Sequence, residues 1–560
     1  MTCVNVVYLF GIERDTTSLS TMASPFGHTP RPQRVLIIGG CYAGLAAATN
    51  LLDLCEGRAP RFAPTSEILK RDVPIDITIV DERDGFYHVI GSPLALASSD
   101  YAAKAWVKFS DVPGLQHPSF SFIHGSVEKV DINTKTAVIR RKDSSSPVDQ
   151  EYDYLIAASG LRRAWPVVPQ SLSRNTYLPE AQTHIDSVMN ARNGVVVIGG
   201  GAVGIEMAAE LKLVNPALEV TLIHSRDRLL SSEPLPDDFK DETLSVLRST
   251  GVQVVTGQRV KDISEPDSET VISLTLSNGD IVRTSHVINA ISRSVPTTTY
   301  LPPSTVDSEG FVKVKPSLHF LNGDDYHLAA GDIALWSGIK RCGAAMHMGG
   351  FCAYNIHQHI ISQLPPTRPS SPYARRSSDS FNDIPSPAYE PVYKELAEHP
   401  AVIGLAIGST GTSYSPTEGT KSGPEVLKYM FGDDLGFSNC YNYMKLGEAP
   451  WSMVEKVATA PTDVPTMDEG AKIEEEEQST PTLSATSTES PVVEPQTPVD
   501  AVGNAEITNF EVLGDEGAGT RKVDIDSIVT EIAQASIANR RHKNIDSGDL
   551  DIQPVQVATA

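Results

Sequence analysis

Cysteine is scarce in this chain and follows no pattern. The six residues Cys3, Cys41, Cys55, Cys342, Cys352 and Cys440 form no CxxC pair and no zinc-ligand spacing. A disulfide scaffold and a structural metal are therefore not expected, and a reducing compartment suits the chain. Long hydrophobic runs are missing too: none reaches the ~18 apolar residues of a membrane span. Positive charge is in deficit, with 46 Lys and Arg against 70 Asp and Glu, a net charge of −24. That balance suits neither a nucleic-acid backbone nor an anionic membrane surface, so no nucleic-acid partner is expected. The N-terminal stretch MTCVNVVYLFGIERD has no basic start and no small-residue cleavage site, and Glu13 and Asp15 are wrong for a mitochondrial presequence. Neither Met1 nor Met22 precedes the glycine that myristoylation needs, and Met22 is a second candidate start. The expected location is cytoplasmic, with mitochondrial association and peripheral membrane contact left open.

What the chain does contain is one template written twice. VLIIGGCYAGLAAATNLLDL starts at Val35, and VVVIGGGAVGIEMAAELKLV starts at Val195. Each reads as a buried strand, a glycine turn and an Ala/Leu-rich helix. The first is followed by a proline-broken insertion at 56–74 and the strand IDITIVDER. A β-meander then leads through FSFIHGSVEKVDINTKTAVIRR to EYDYLIAASG. The second has LEVTLIH as its partner strand, and TVISLTLSNGDIVRTSHVINA adds a hairpin with an Asn-Gly turn. YHLAAGDIAL reads as a strand ending in a polar turn, before the helix GAAMHMGGFCAYNIHQHII.

The resulting division is a 1–33 extension, a dinucleotide-binding domain in two parts at 34–192 and 315–362, and a second such domain at 193–314. A Pro/Ser-rich loop at 363–388, a globular segment at 389–451 and an acidic tail at 452–560 complete it. Counted from Ser452, the tail holds about 21 acidic and about 7 basic side chains, so it carries more than half of the negative excess. Its low complexity predicts disorder, with VDIDSIVTEIAQASI at 523–537 as the one apolar island that could fold into a short helix.

In the second turn Gly199, Gly201 and Gly204 match GxGxxG between a strand and a helix, with Ala202 and Val203 completing it. Gly199 allows the tight turn, Gly201 admits a pyrophosphate to the backbone amides, and Gly204 lets helix and strand pack closely. The positive end of the helix then faces the phosphates. The first turn runs Gly39-Gly40-Cys41-Tyr42-Ala43-Gly44, with Cys41 in place of the second template glycine. Asp81 ends the next strand, placed for a ribose diol; Glu82 is the alternative. His224 stands at the matching place in the second unit. Without a carboxylate there, a 2′-phosphate is not repelled, and Arg226 or Arg228 could attract it; a strand-end histidine beside solvated arginines is the plain alternative.

Taken with YLIAASG, VDERDGFYHVIGSPLALA, GGGAVGIEMAAELK…VTLIHS and AAGDIALWSGIK, these motifs resemble the two-dinucleotide-binding flavoproteins. The branch they resemble is that of apoptosis-inducing-factor-like proteins, the ferroptosis suppressor and type II NADH dehydrogenases. The resemblance covers about 34–450. It implies an α/β fold of two Rossmann-like domains, the NAD(P) domain nested in the FAD domain, with a small C-terminal α+β interface domain at 389–451. It also implies FAD in the first unit, NAD(P)H in the second, and a flavin that receives hydride and passes electrons to a small acceptor, first of all a quinone.

Carried over, Gly39, Gly40, Tyr42, Ala43 and Gly44 line the FAD pyrophosphate, Asp81 holds the ribose and Val127 meets adenine. Ser159 and Gly160 close the strand motif, Asp332 holds the ribityl chain, and the helix opening near Cys342 faces the flavin. Glu206 matches the family glutamate near the nicotinamide, although a first-turn helix acid is the plain reading. Lys340 matches a lysine near the ring, with a surface lysine as the alternative. His347 and Met348 could face the acceptor cavity or simply the helix core. Departures are Cys41 and the motif Ala290-Ile291-Ser292, commonly ATG. Disulfide-reducing relatives carry a cysteine pair after the first turn, where this chain offers only Cys55. Disulfide reduction is therefore not expected, since no dithiol is positioned to relay electrons. Two other roles stay open: a reductase of a small redox protein, and a non-catalytic signalling protein whose flavin state controls the tail.

Overall fold

The structure is a computed structural model. It describes residues 31–61, 73–266, 271–291, 295–364 and 389–450, and, further on, the backbone of 510–511 and 522–523. The chain divides into two units, Met1–Pro450 and Trp451–Ala560. In the second unit Phe510–Glu511 pairs antiparallel with Lys522–Val523. The rest of the acidic tail, including the helix expected beyond Val523, lies outside the described residues, as do residues 1–30 of the N-terminal extension and most of the Pro/Ser-rich loop.

The first unit is organised by a seven-stranded sheet. Its order is His327–Ala329, Tyr154–Ala157, Gln33–Ile38, Ile75–Asp81, Phe120–Asp131, Thr136–Arg141, Val148–Glu151. The first five are mutually parallel, and the last two turn back as an antiparallel meander. Val35–Ile38 sit at the centre and are buried on both faces, which is why that strand reads as a continuous apolar run. The helix Tyr42–Cys55 is buried along its whole length. It is wedged between the sheet and the helix Cys342–Gln363, and at the crossing a Cβ on Gly349 would stand 2.2 Å from the Ala43 carbonyl oxygen. Only glycine allows the two backbones that close.

The chain leaves this sheet to build a second, smaller one, and returns at His327. The nested sheet is all parallel, in the order Gln253–Val255, Val220–Ile223, Val195–Ile198, His286–Asn289. A three-stranded antiparallel sheet of Val260–Ile263, Ile272–Leu276 and Ile281–Thr284 joins it, and its last hairpin turns at Asn278-Gly279 as expected. Past 389, Ile403–Ile407, Thr410–Ser415 and Gly419–Gly423 form another antiparallel sheet, followed by the helices Pro424–Phe431 and Phe437–Tyr443. The strand Ile403–Ile407 packs on the nested unit's helix Ala202–Val214.

A Cβ at Gly44 would lie 1.8 Å from the Gly39 carbonyl oxygen. Replacing Gly44 with Val should cost ~3 kcal/mol or more, because backbone rather than a flexible side chain would have to move. Thermal unfolding of the Gly44→Val protein should show a fall of many degrees in Tm, and an unchanged Tm would contradict this packing.

Candidate functional site

The two glycine turns adopt one geometry. Gly39 and Gly199 have φ of 109° and 119°, a region open to glycine and closed to most side chains. Their N–H groups donate to the Val80 and Ile223 carbonyls at 2.8 and 2.9 Å, which ties each turn to the adjacent strand. Each helix then starts from an extended residue, Cys41 in one and Gly201 in the other. Gly204 repeats Gly44: its Cβ would lie 1.9 Å from the Gly199 carbonyl oxygen.

The residue closing the next strand holds the turn in both units. Asp81 accepts the Gly40 N–H on Oδ2 at 2.6 Å and the Arg83 N–H on Oδ1 at 2.7 Å. Burial pushes its carboxyl above the ordinary range, while Arg83 and these two backbone donors pull it back. Glu82 instead forms an ion pair with Arg162 at 2.7 Å. In the nested unit the Gly200 N–H donates to His224 Nδ1 at 3.0 Å, and His224 Nε2 meets Ser231 Oγ at 3.1 Å. Burial lowers the His224 pKa, which keeps the ring neutral and its Nδ1 free to accept. Arg228 is occupied by Asp237 and Asp241, so of the two arginines only Arg226 has a side chain outside an ion pair among the described residues.

Open space lies where a dinucleotide would approach. A Cβ built on Gly201, Gly160 or Gly343 would meet nothing within 4 Å. At Gly201 the template glycine is thus not required by neighbouring protein, and the room it leaves suits a phosphate against the helix N-terminus. Gly160, with φ of 73°, opens beyond Ser159, whose hydroxyl is fixed by the Thr297 carbonyl at 2.9 Å and Tyr300 at 3.0 Å. Gly343 opens at the start of the helix Cys342–Gln363. The Cys41 thiol is turned to the Tyr87 carbonyl at 3.6 Å, and burial raises it to about 12. The neighbouring Tyr42 hydroxyl donates to His88 Nδ1 at 3.0 Å, and His88 Nε2 donates to the Leu435 carbonyl at 2.9 Å. Val127 lies half-buried beside a bulge in the strand Phe120–Asp131.

Asp332 is half-buried at the end of the strand motif, with Arg163 at 3.9 Å, and burial raises its pKa. Lys340 folds back to donate to the Ala334 carbonyl at 2.6 Å; burial lowers its pKa and Asp332 opposes the shift. It is therefore not a solvated surface lysine. Met348 accepts the Gly331 N–H at 3.3 Å, and His347 packs its ring on Phe351 with centroids 4.3 Å apart. Both serve the helix face. Ile291 is exposed, and Ser292 lies outside the described residues.

Glu206 differs from its plain reading. The helix begins at Ala202, so Glu206 is its fifth residue and lies beyond the first turn, where a dipole contribution has faded. Its carboxylate accepts the Ala406 N–H at 3.1 Å, and burial lifts its pKa to about 8. One turn on, Glu210 is wholly buried with neither oxygen partnered among the described residues. Burial, with Glu206 beside it, lifts this carboxyl to about 8 as well. The i, i+4 spacing in GIEMAAEL carried this second acid in plain view, yet the motif draws attention only to the first.

A second feature is a pair of thiols that the sequence did not place together. Cys55 is buried at the far end of its helix, but Cys342 and Cys440, 98 residues apart, bring their sulfurs within 3.9 Å. No spacing rule joins residues so distant.

The comparisons fit this geometry. The model of the pyridine nucleotide-disulphide oxidoreductases matches residues 33–349, more than half of the chain. This chain belongs to that family. The family's cofactors are FAD and NAD(P)H, and the paired turns of this oxidoreductase fit two dinucleotides. "Oxidoreductase OXR1" of Ajellomyces capsulatus is 48% identical over 436 residues, spanning 75% of this chain and 89% of that protein. Ferroptosis suppressor protein 1 of Xenopus tropicalis is 28% identical over 236 residues, 42% of this chain and 55% of that one; the chain spans only about half the length of that relative. Among solved structures, the sulfide:quinone oxidoreductase of Aquifex aeolicus superposes with a TM-score of 0.52 at 17% identity, over 76% of this chain and 94% of that one. That match shows the fold. Among the described residues no helix is long and apolar enough to cross a membrane, and no group of side chains could hold a metal ion.

Glu210 yields a pH test with a definite sign. A carboxyl raised from 4.5 to about 8 by folding binds its proton more tightly in the native state, so stability is full at low pH and is lost as pH rises through 8. At ~1.4 kcal/mol per unit, the loss between pH 4.5 and pH 8 is on the order of 4–5 kcal/mol as an upper figure. Glu210→Gln should therefore gain Tm relative to the parent at pH 8.5 but not at pH 5; equal differences at both would show that Glu210 titrates normally.

Proposed function

We propose that this protein is an FAD-dependent NAD(P)H oxidoreductase that passes electrons from the reduced coenzyme, through flavin, to a quinone-type small acceptor. The observation that carries the reading is the duplication of the glycine turn within one unit, each with its own strand-end clasp. Two anion-ready helix starts are what two dinucleotides meeting ring to ring require. The quinone-type acceptor is supported by the resemblance of the motifs to the type II NADH dehydrogenase and ferroptosis-suppressor branch.

In this reading Gly39, Gly40, Cys41, Tyr42, Ala43 and Gly44 carry the FAD pyrophosphate, Asp81 and Val127 its adenosine, and Ser159, Gly160 and Asp332 its further length. Gly199, Gly201, Ala202, Val203, Gly204, His224 and Arg226 carry NAD(P)H. Bound FAD supplies two-electron chemistry that no side chain here has. The chain's part is to position the two rings, exclude water and manage protons. Glu206, neutral near pH 7 because it is buried, holds a proton on its carboxyl beside the nested helix. Lys340, fixed by the Ala334 carbonyl, is held with its charge near Asp332.

Purified protein should be yellow, bleach anaerobically with NADPH or NADH, and regain colour with a soluble quinone. Colourless folded material that FAD cannot reconstitute would end the reading. His224→Asp should keep the clasp on Gly200 while bringing a negative charge toward a 2′-phosphate, shifting the NADPH/NADH ratio of kcat/KM at least ~10-fold toward NADH. An unchanged ratio would remove His224 from coenzyme selection.

A further inference from the structure

Lys340 and Arg341 precede the helix Cys342–Gln363, and the segment beyond 389 brings Lys394 and His399 against the same helix. Side chains pin that segment. The buried Asn355 accepts the Lys394 N–H at 2.7 Å and donates to the Lys394 carbonyl at 3.0 Å. Trp336 donates to the Ala397 carbonyl at 3.0 Å, and the His399 N–H donates to Ser337 Oγ at 2.7 Å. The His399 ring is thereby set 6.5 Å from the His347 ring, centroid to centroid. Lys394 Nζ lies 4.7 and 5.5 Å from the centroids of Tyr354 and Phe351, so aromatic faces receive this ammonium. Among the described residues no carboxylate forms an ion pair with Arg341 or Lys394, and Glu395 and Glu398 on the same segment are exposed. Asp332 acts on Lys340 but is shared with Arg163. The two histidines register the unbalanced charge. Burial, followed by His399, Lys394 and Arg341, lowers His347 to about 4, and burial, followed by Arg341 and Lys340, lowers His399. His399 Nε2 is shut from water with no hydrogen-bond partner among the described residues.

Positive charge withdrawn from water without an acid beside it is costly unless an anion completes it. The cofactor phosphates do not supply that anion, since the function proposed above seats them at the turns Gly39–Gly44 and Gly199–Gly204. A protein partner fits poorly as well. Arg341 is exposed, but Lys340, His347, Lys394 and His399 are half-buried, which suits a small group entering a recess better than a flat docking face. We propose that the acceptor of this oxidoreductase carries an acidic group of the carboxylate or sulfonate kind. Arg341 and Lys394 attract that group to the start of the helix Cys342–Gln363, with His399 Nε2 as its hydrogen-bond partner. The inference rests on the proposed oxidoreductase function and narrows its acceptor to an anionic quinone. Gly343, with open space at the helix start, and Lys340 beside Asp332 put the anion next to the residues assigned to the flavin. The redox step keeps its balance: NAD(P)H and one proton give the quinone two electrons and two protons, yielding quinol and NAD(P)+. The acidic group takes no part in the bond changes.

The test offers full-length holoprotein and NADPH two acceptors with one ring system, 1,4-naphthoquinone-2-sulfonate and the neutral 2-methyl-1,4-naphthoquinone. Their intrinsic reactivities differ, but the difference cancels when the anionic-to-neutral ratio of kcat/KM is compared between variants. Arg341→Gln and Lys394→Gln should each lower that ratio at least ~10-fold, and Lys394→Arg should keep it. Raising salt from ~20 to ~200 mM should lower the wild-type ratio and leave that of the double Gln variant flat. In calorimetric titration of the oxidised protein without coenzyme, the sulfonate should bind the double variant at least ~10-fold more weakly than the wild type. A ratio and an affinity that the substitutions leave unchanged, in protein whose flavin NADPH bleaches, overturn the anionic acceptor and leave the oxidoreductase reading standing. Flavin that NADPH cannot bleach overturns that reading, and the inference with it.

Discussion

A single hydrogen bond, made once in each nucleotide unit, anchors the architecture. The N–H of the second glycine is held by the side chain that closes the neighbouring strand, Asp81 for Gly40 and His224 for Gly200. That bond sets the turn against the sheet edge, and the turn sets where the helix starts. The packing residues follow from it, since helix and strand then run so close that Gly44 and Gly204 have no room for a side chain. One geometry is achieved with two chemistries, an acid and a neutral imidazole. The clasp is thus conserved between the units while the charge offered to a bound ribose differs.

The C-terminal sheet packs on the helix of the nested unit and changes the setting of its acids. It donates the Ala406 N–H to Glu206, and the nested helix also packs on Ser92–Ala95; between them Glu210 is withdrawn from water and Glu206 is half-buried. The low pH at which a carboxyl normally ionises depends on hydration, so this packing keeps both acids protonated near neutrality. Two carboxyls one helical turn apart would repel each other if both were charged. As neutral groups they can share a dry interior, and Glu210 does so without a hydrogen-bond partner among the described residues. An isolated nested domain would lose this environment, because the Ala406 N–H that Glu206 accepts comes from the strand Ile403–Ile407.

The sequence was most legible where function constrains the backbone. Gly39, Gly44, Gly199 and Gly204 announce themselves because no other residue satisfies the turn and the close helix approach, and the apolar runs at Val35 and Val195 mark strands buried on both faces. The choice between Asp81 and Glu82 depends on which carboxylate points at the turn, a fact of strand register that composition does not hold; Glu82 proved to face Arg162. Glu206 was singled out by motif; its plain reading as a first-turn acid fails because the helix starts at Ala202 and Glu206 is its fifth residue. The Cys342–Cys440 contact was beyond reach, as it exists only once the last helices fold back on the first domain.

Electrostatics sharpens the point. A chain with a net charge of −24 is expected to repel a dinucleotide, itself anionic. Its candidate phosphate sites nonetheless hold few basic side chains: Arg228 is neutralised by two aspartates, and Arg163 stands beside Asp332. The attraction has to come from the backbone, through N–H groups at helix starts whose neighbouring residues leave open space. Such donors are fixed in direction, cost no side-chain entropy to order, and act over the first turn only, whereas charges farther than a Debye length are screened by salt. A large negative charge on the chain is therefore compatible with an anion-ready helix start at Gly201, since one acts over a long range in water and the other at contact.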